Sequence, residues 1–157
     1  PAKAFFEHKF LYRNTEAEVP TAYYTLPEGK AAVHDFGSDC CIITYGWGVH
    51  QSLELIKKKN LNVTVIDLRT LLPWDKDTVI EQIKRCNKAL VLTEDTLTGS
   101  IASDISAYIT ENAFHHLDAP VKRLGSLDTP IPLAKSLEDQ FLPWNRLESS
   151  LDELLNY

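Results

Sequence analysis

Methionine is absent from the 157 residues, and the chain opens on a proline. Because a complete translation product begins with methionine, we expect this sequence to be an excised or processed piece of a longer protein. Long apolar runs are lacking as well. None approaches the roughly 20 residues that span a bilayer, and the first four residues lack the apolar stretch of a signal peptide. We therefore expect a soluble chain that does not associate with membranes.

An excess of positive charge is also missing, since 16 Lys and Arg residues stand against 22 Asp and Glu residues. Proteins that bind nucleic acids neutralise phosphates with clustered cations, so the formal net charge of −6 argues against that class. The longest basic run, Lys57–Lys59, follows an amphipathic segment, where cations complement the C-terminal end of a helix. We interpret this run as structural and expect no nucleic-acid partner.

Cysteine is scarce, with only Cys40, Cys41 and Cys86. The first two are adjacent in an apolar run, where alternate side chains of a strand point to opposite faces, so we expect no disulfide framework. We also expect both to be buried and inert. This cysteine usage favours a reducing compartment.

A regular alternation of two kinds of segment begins at Ser38. Short apolar or β-branched runs, typical of strands buried on both faces, alternate with longer segments whose apolar residues recur at helical spacing. The predicted strands are 39–45, 62–68, 88–94 and 121–124, and the predicted helices are 49–59, 75–86, 99–112 and 145–155. We expect Asp75 or Asp77 to cap the second helix and Asn145 to cap the last. This succession predicts an α/β fold, a three-layer αβα sandwich around a mostly parallel sheet.

The first 37 residues have a different character. Residues 4–12 are aromatic and apolar enough for a buried strand or a packed arm, and the stretch from there to Gly37 reads as a long irregular connection. A connection of that length suggests that it lies over another domain or subunit. We therefore divide the chain into an N-terminal arm and connection, 1–37, from a preceding domain, and an α/β domain, 38–157.

Loops after the strands are the first place to search for chemistry, because ligands bind outside the carboxyl ends of the strands in open α/β sheets. Gly46-Trp47-Gly48 opens like a dinucleotide fingerprint but lacks the third glycine, which favours a tight strand-to-helix turn. Glu94 and Asp95 are candidates for a general base or a metal ligand, with helix capping as the alternative. The adjacent His115-His116 is a weak metal candidate. No convincing catalytic set emerges, although a self-contained small-molecule-binding or catalytic α/β domain using this turn and Glu94 remains an alternative.

A more specific string begins in the second strand, Val65-Ile66-Asp67-Leu68-Arg69-Thr70-Leu71-Leu72-Pro73-Trp74-Asp75. It resembles the C-terminal domain of transketolase-like thiamine diphosphate enzymes, and most closely the β subunits of branched-chain 2-oxoacid dehydrogenase decarboxylase components. Other matching strings follow in family order: Phe5-Phe6-Glu7, Leu11-Tyr12-Arg13, Glu18-Val19-Pro20, Gly37-Ser38-Asp39, Leu97-Thr98-Gly99, Asp128-Thr129-Pro130 and Asn156-Tyr157. Each string is weak alone, and together they are highly specific.

The resemblance implies that the full-length protein oxidatively decarboxylates a 2-oxo acid and reductively acylates a lipoyl group. Thiamine diphosphate and magnesium would lie between other domains, so this piece would hold no catalytic residue, cofactor or metal and would not be active alone. Its implied partners are the α subunit or domain of the same decarboxylase, a second β subunit and the subunit-binding domain of the acyltransferase. The implied location is the cytoplasm or, in a eukaryote, the mitochondrial matrix.

Two residues are implied as partner contacts. Asp118 stands in Leu117-Asp118-Ala119-Pro120, a string whose aspartate docks the acyltransferase in pyruvate-specific relatives together with the terminal carboxylate, here placed on Tyr157. Such acids would clamp an arginine or lysine through charge-assisted hydrogen bonds. A solvated loop acid is the alternative for Asp118. We also expect Arg69 and Trp74 at a subunit interface, and some of the aromatic residues there or at an interdomain surface: Phe5, Phe6, Phe10 and Tyr12.

Overall fold

The computed structural model describes residues 2–157, which form one five-stranded sheet. Its strands are β1 (Ala32–Asp35), β2 (Cys40–Thr44), β3 (Val63–Asp67), β4 (Ala89–Thr96) and β5 (Lys122–Ser126), in the spatial order β1-β3-β2-β4-β5. β2 pairs in parallel with β3 and β4, and β4 pairs in parallel with β5. β1 runs antiparallel to β3 at one edge. The predicted mostly parallel sheet is confirmed.

Helices cover both faces of this sheet. They are α1 (Leu11–Asn14), α2 (Trp47–Lys59), α3 (Lys76–Cys86), α4 (Ile101–Ala113), α5 (Lys135–Phe141) and α6 (Trp144–Leu155), with a 3₁₀ turn at Phe114–His116. The apolar residues of α2 and α6 pack on one face of the sheet, and those of α3 and α4 pack on the other. This arrangement is the predicted three-layer sandwich.

The central strand β2 shows why the adjacent cysteines stay apart. All five of its residues are buried. Cys40 and Ile42 belong to the core beneath α2 and α6, whereas Cys41 and Ile43 belong to the core beneath α3 and α4. The three cysteines are free thiols. The prediction that the two neighbours face opposite sides of the sheet is therefore confirmed.

The helix ends confirm one predicted cap and correct another. Asp75 caps α3, because its carboxylate accepts a hydrogen bond from the Thr78 amide at 3.3 Å. The predicted cap of the last helix is wrong. α6 begins at Trp144, after Pro143, because proline needs no backbone donor there and presets the helical φ. Asn145 therefore lies inside the helix, and its side chain donates to the Asp139 carbonyl at 2.9 Å.

Two elements lie where the sequence predicts irregular chain. β1 occupies part of the predicted connection, and its alternating half-buried and exposed residues fit a short strand at a sheet edge. α5 follows the proline-rich loop and has a single buried residue, Phe141. Both are short and weakly apolar, so neither produces the periodicity that marks the central elements.

The segment before β1 contains no regular element except α1. It forms an arm rather than the alternative buried strand, and its aromatic rings are largely in solvent, with Phe5 90% and Phe6 92% exposed. In the described part of the chain, no helix is long and apolar enough to cross a membrane.

Candidate functional site

The Gly46-Trp47-Gly48 turn lies at the carboxyl edge of the sheet, which is the edge where β2 to β5 end. Gly46 adopts the positive φ of 58° that lets the chain turn from β2 into α2. A Cβ atom on Gly48 would lie 2.2 Å from the Thr44 hydroxyl oxygen, so this glycine permits close packing of helix on strand. Both glycines have structural roles, which confirms the interpretation of a tight strand-to-helix turn.

Glu94 binds the N-terminal arm. The imidazole Nε2 of His8 lies 2.8 Å from the Glu94 carboxylate, and the ring of Phe10 packs 4.4 Å from that of Trp47. Trp47 in turn packs against Trp144 at 5.2 Å. The acid that the sequence offers as a general base therefore contacts the arm at this edge of the sheet.

Asp95 does not join Glu94 in a common site. Its carboxylate accepts a hydrogen bond from the amide of Thr96 at 2.8 Å, and Ser100, at the start of α4, makes no capping bond with its side chain. Helix capping, the alternative that the sequence offers at this position, is therefore not made by the Ser100 side chain. In the described part of the chain, no group of three or more His, Cys, Asp and Glu side chains is arranged to hold a metal ion.

Asp128 links two loops at the same edge, a role that was not predicted from the sequence. Its carboxylate accepts from the Thr98 amide at 3.1 Å and from the Thr98 hydroxyl at 2.6 Å. The hydroxyl bond is the main reason why the pKa of Asp128 is lowered. The resemblance strings contain both residues, but their contact across 30 positions depends on the pairing of β4 with β5.

Arg69 and Trp74 follow β3 at this edge. Arg69 is exposed, with a φ of 58°, and its amide donates to the Asp67 carboxylate at 3.1 Å. Trp74 packs edge-on against Tyr108 of α4, with ring centroids 5.1 Å apart. The guanidinium is thus available to a partner, while part of the indole is used inside the chain. Their placement at a subunit interface stays a prediction.

The amino edge of the sheet, where β2 to β5 begin, contains an open cleft of about 510 Å³. Segments that precede β2, β4 and β5 meet there with the C-terminal ends of α3 and α6. The lining residues are Ser38, Asp39, Arg85, Cys86, Asn87, Lys88, Asp118 and Leu155. The backbone amide of Asp118 donates to the Asn87 carbonyl at 2.8 Å, which fixes the loop while its side chain stays exposed.

Most charges around the cleft are already paired. Arg85 donates two hydrogen bonds to Asp35, at 2.5 and 2.8 Å, and Lys88 donates to the Leu155 carbonyl at 2.9 Å. Asp39 accepts from the Asn62 amide group at 2.7 Å. None of the ion pairs formed among residues 2–157 involves Asp118. This carboxylate is therefore a free anionic group on the rim of a polar cleft.

Tyr157 lies two residues beyond the cleft-lining Leu155. Its amide donates to the Leu154 carbonyl at 3.4 Å, and the residue is 72% exposed. The Lys88 side chain holds the end of α6 against the start of β4, near Asn87, which binds the Asp118 loop. The structure thus brings Leu155, at the end of α6, and the Asp118 loop to one cleft, although they are 37 positions apart in sequence.

These features define a class of domain: a three-layer α/β sandwich with an apolar arm at the carboxyl edge of its sheet and a free acid at the amino edge. The chain belongs to the family of transketolase C-terminal domains, whose model matches residues 29–146. A solved structure, "Split gene transketolase, inactive beta4 tetramer", has the same fold, with a TM-score of 0.71 at 19% identity over 89% of this chain and 46% of that chain.

Two curated relatives extend the match beyond the domain. The 2-oxoisovalerate dehydrogenase subunit beta of Bacillus subtilis (strain 168) is 43% identical over 98% of this chain and 48% of its own length. The pyruvate dehydrogenase E1 component subunit beta of Mycoplasma pneumoniae is 35% identical over 96% of this chain and 47% of its own. The chain spans about half the length of the curated relatives it matches. The resemblance stated from the sequence is confirmed.

Proposed function

We propose that this chain is the C-terminal part of the β subunit of a 2-oxoacid dehydrogenase decarboxylase component of the branched-chain type. The 43% identity to a 2-oxoisovalerate dehydrogenase subunit beta, over 98% of this chain, carries the proposal. The full-length enzyme would decarboxylate a 2-oxo acid and transfer the acyl group to a lipoyl group. We assign it to the cytoplasm or, in a eukaryote, to the mitochondrial matrix, since a relative from Dictyostelium discoideum is named as mitochondrial.

The proposed cofactors, thiamine diphosphate and magnesium, do not fit the residues of this chain. Gly46 adopts a positive φ and Gly48 allows α2 to pack closely on β2, so neither is left to cradle a phosphate. Among residues 2–157, no three metal-ligating side chains are grouped. In the proposal, other domains of the enzyme hold both groups.

The role we assign to this domain is assembly with an α subunit and a second β subunit. Three large apolar side chains at the carboxyl edge are highly exposed: Leu72 is 89% exposed, Ile131 is 76% exposed and Leu133 is fully exposed. Exposed apolar surface of this kind marks sites of protein–protein contact. The arm adds Phe5 and Phe6 to the same edge through its anchor at His8 and Glu94. These surfaces support the proposal that the arm belongs with a preceding domain. β1 (Ala32–Asp35) pairs with β3, so the end of the predicted connection belongs to the sheet of the α/β domain.

A second role is to bind the subunit-binding domain of the acyltransferase at the amino edge. Asp118 is exposed and free of internal ion pairs, and the two cations that line the same cleft, Arg85 and Lys88, are hydrogen-bonded to other groups of this chain. It is therefore suited to accept an arginine or a lysine from a basic partner. Tyr157, at the adjacent end of α6, is the second contact residue in this proposal.

The docking role is tested in the intact enzyme with Asp118→Asn. The matched control is Asp104→Asn, the same change at an exposed acid in the first turn of α4, at the opposite edge. Loss of one member of a desolvated charge pair costs about 2–5 kcal/mol, so we expect affinity for the acyltransferase domain to fall roughly 30-fold or more. Calorimetry with both variants measures this. Equal affinities for Asp118→Asn and wild type would return Asp118 to the role of a solvated loop acid.

The activity is tested with the complete protein and its α partner. We expect decarboxylation of 2-oxoisovalerate with a higher kcat/KM than that of pyruvate or 2-oxoglutarate, measured by reduction of an artificial electron acceptor. A preference for pyruvate would contradict the branched-chain assignment but keep the class. Turnover of none of the three acids would contradict the class itself.

A further inference from the structure

The exposed apolar side chains differ in kind between the two edges of the sheet. Among residues 32–157, the large aliphatic side chains in solvent lie on β1 or follow β3 and β5: Val33, Leu72, Leu127, Ile131, Leu133 and Leu137. The exposed aromatic ones are Phe36, Phe114 and Tyr157, with exposed fractions of 43%, 64% and 72%. All three aromatic residues belong to segments that meet at the amino-edge cleft.

Phe36 lies on a segment that Arg85 holds at the wall of the cleft. It follows Asp35, which lies opposite Thr64 near the start of β3 and accepts two hydrogen bonds from the Arg85 guanidinium. The carbonyl of Gly37, on the other side of Phe36, accepts from Arg85 at 3.3 Å. Because Arg85 lines the cleft, Phe36 lies beside it.

Phe114 and Tyr157 lie on the two segments that bring Asp118 and the end of α6 together. Phe114 begins the 3₁₀ turn after α4, four positions before Asp118, and its carbonyl accepts from the Leu117 amide at 3.1 Å. Its ring lies outside both core clusters. Tyr157 follows the cleft-lining Leu155. Exposed aromatic residues thus stand on the segments next to the free carboxylate of Asp118.

We propose that Phe36, Phe114 and Tyr157 form an aromatic rim around the amino-edge cleft, and that its occupant is a basic protein segment in which apolar side chains flank an arginine. This inference rests on the proposed docking role, and it names the chemistry of the segment that the subunit-binding domain of the acyltransferase would present. An arginine bound to Asp118 can also stack its planar guanidinium on an aromatic ring, which the ammonium of a lysine cannot match.

The aromatic rim supplies what a single exposed carboxylate lacks. An ion pair in water contributes little to binding, because solvent screens it. Rings that pack on apolar side chains of the partner exclude water and so strengthen the central charge pair. Phe and Tyr are enriched in protein interfaces for this reason, and the formal net charge of −6 favours a basic partner over an acidic one.

Substitutions in the assembled enzyme test the rim. Calorimetry with the subunit-binding domain, repeated at several salt concentrations, should show a loss of affinity of about tenfold for Phe114→Gln and a smaller loss for Phe36→Gln, whose ring is less exposed. Neither change removes a charge, so the salt dependence should stay that of the wild type, whereas Asp118→Asn should reduce it. Phe114→Tyr keeps the ring and should bind nearly as the wild type does.

The matched control is Leu137→Gln, since Leu137 is 54% exposed on α5, which follows β5 at the opposite edge. It should bind with wild-type affinity. If Asp118→Asn weakens binding and both Gln variants of the aromatic residues bind as the wild type does, the aromatic rim is wrong and the docking role stands. If none of these three variants weakens binding, the docking role fails and the rim fails with it. The substituted rings are exposed, so the variants should fold, which their unfolding midpoints verify.

Discussion

The carboxyl and amino edges of the sheet differ in the side chains that they expose to solvent. At the carboxyl edge, large apolar residues such as Leu133 stand in solvent, and an aromatic arm is attached through His8 and Phe10. At the amino edge, polar groups line an open cleft, and nearly every charge has an internal partner. An apolar surface of the first kind is stable when another surface covers it, whereas a polar cleft is stable in water and available to a partner that arrives later.

Each edge also contains an aspartate that connects distant segments. Asp75, at the start of α3, is buried and accepts from the Ala31 amide at 3.1 Å and the Thr78 hydroxyl at 2.8 Å. Asp35, at the end of β1, pairs with Arg85 on the surface. Because desolvated bonds contribute more than exposed ones, the same kind of contact should matter much more at the first edge.

The largest effect is expected for Asp75→Ala. The variant loses the cap of α3, which contributes about 0.5–2 kcal/mol, and leaves the Ala31 amide unpaired, which costs about 1–3 kcal/mol. Urea unfolding should therefore show a loss of about 2 kcal/mol or more. The control Asp77→Ala, at an exposed acid in the same first turn, should lose about 0.3–1 kcal/mol through the helix dipole alone. Equal losses of unfolding free energy in Asp75→Ala and Asp77→Ala would mean that the buried hydrogen bonds of Asp75 do not add to stability.

A smaller effect is expected for Gly125→Ala in β5. A Cβ atom there would lie 2.6 Å from the backbone oxygen of Asp95, and backbone cannot move aside as a flexible side chain can. Overpacking of this kind costs about 1–3 kcal/mol. Gly99→Ala is the comparison, because Gly99 has a φ of 77° but open space around it, so only backbone strain of about 1–2 kcal/mol applies. A clearly larger loss of unfolding free energy in Gly99→Ala than in Gly125→Ala would contradict the predicted clash.

A pH-dependent effect is expected for Asp35→Asn. Its hydrogen bonds to Arg85 lower the pKa of Asp35 to about 2, so the ionised carboxylate stabilises the folded chain above about pH 4. That contribution disappears as the pH falls through 2. The difference in unfolding midpoint between wild type and Asp35→Asn should therefore shrink from pH 5 to pH 2, and it should shrink in high salt because the pair is exposed. If the difference in unfolding midpoint grew on acidification, the ionised Asp35 would not stabilise the folded chain and the prediction would be wrong.

The smallest effect on stability is expected for the double variant Ile131→Gln and Leu133→Gln. Both side chains are exposed, so each change should alter the free energy of unfolding by no more than about 0.5 kcal/mol. Assembly with the α and second β subunits should nevertheless weaken, as measured by light scattering across concentration. Phe114→Gln is the control, since Phe114 is 64% exposed beyond the end of α4, toward the amino edge. Loss of assembly in the control alone would place the covered surface at the wrong edge.

The central strands and the helices packed on them were predictable because their burial requires apolar residues in continuous runs or at helical spacing. β2, β3, β4 and the helices α2, α3 and α4 appear in the sequence as apolar runs and helical repeats, and the structure confirms them. β1 and α5 escaped prediction because each buries little, so their positions depend on contacts made by other segments. The bond from the Ala31 amide to Asp75, 44 positions away, fixes the chain just before β1.

The candidate site was predictable only in part. Asp118 was found through a short family string, but its neighbours Arg85, Cys86 and Lys88 bear no motif and come from a different part of the sequence. The available signal was positional, since Arg85 and Cys86 end α3 and Lys88 directly precedes β4, and such residues lie at the amino edge of a parallel sheet.

The sequence by itself determined the layer architecture, the opposite faces of Cys40 and Cys41, a helix cap at Asp75 or Asp77, and the family. These follow from local periodicity and from short strings, which neighbouring residues along the chain are enough to define. The tertiary structure decided which acids are paired and which glycines are required. Those properties depend on distances between segments remote in sequence, such as Asp35 with Arg85 and Gly125 with Asp95, and these distances arise only when the sheet is assembled and the helices pack on it.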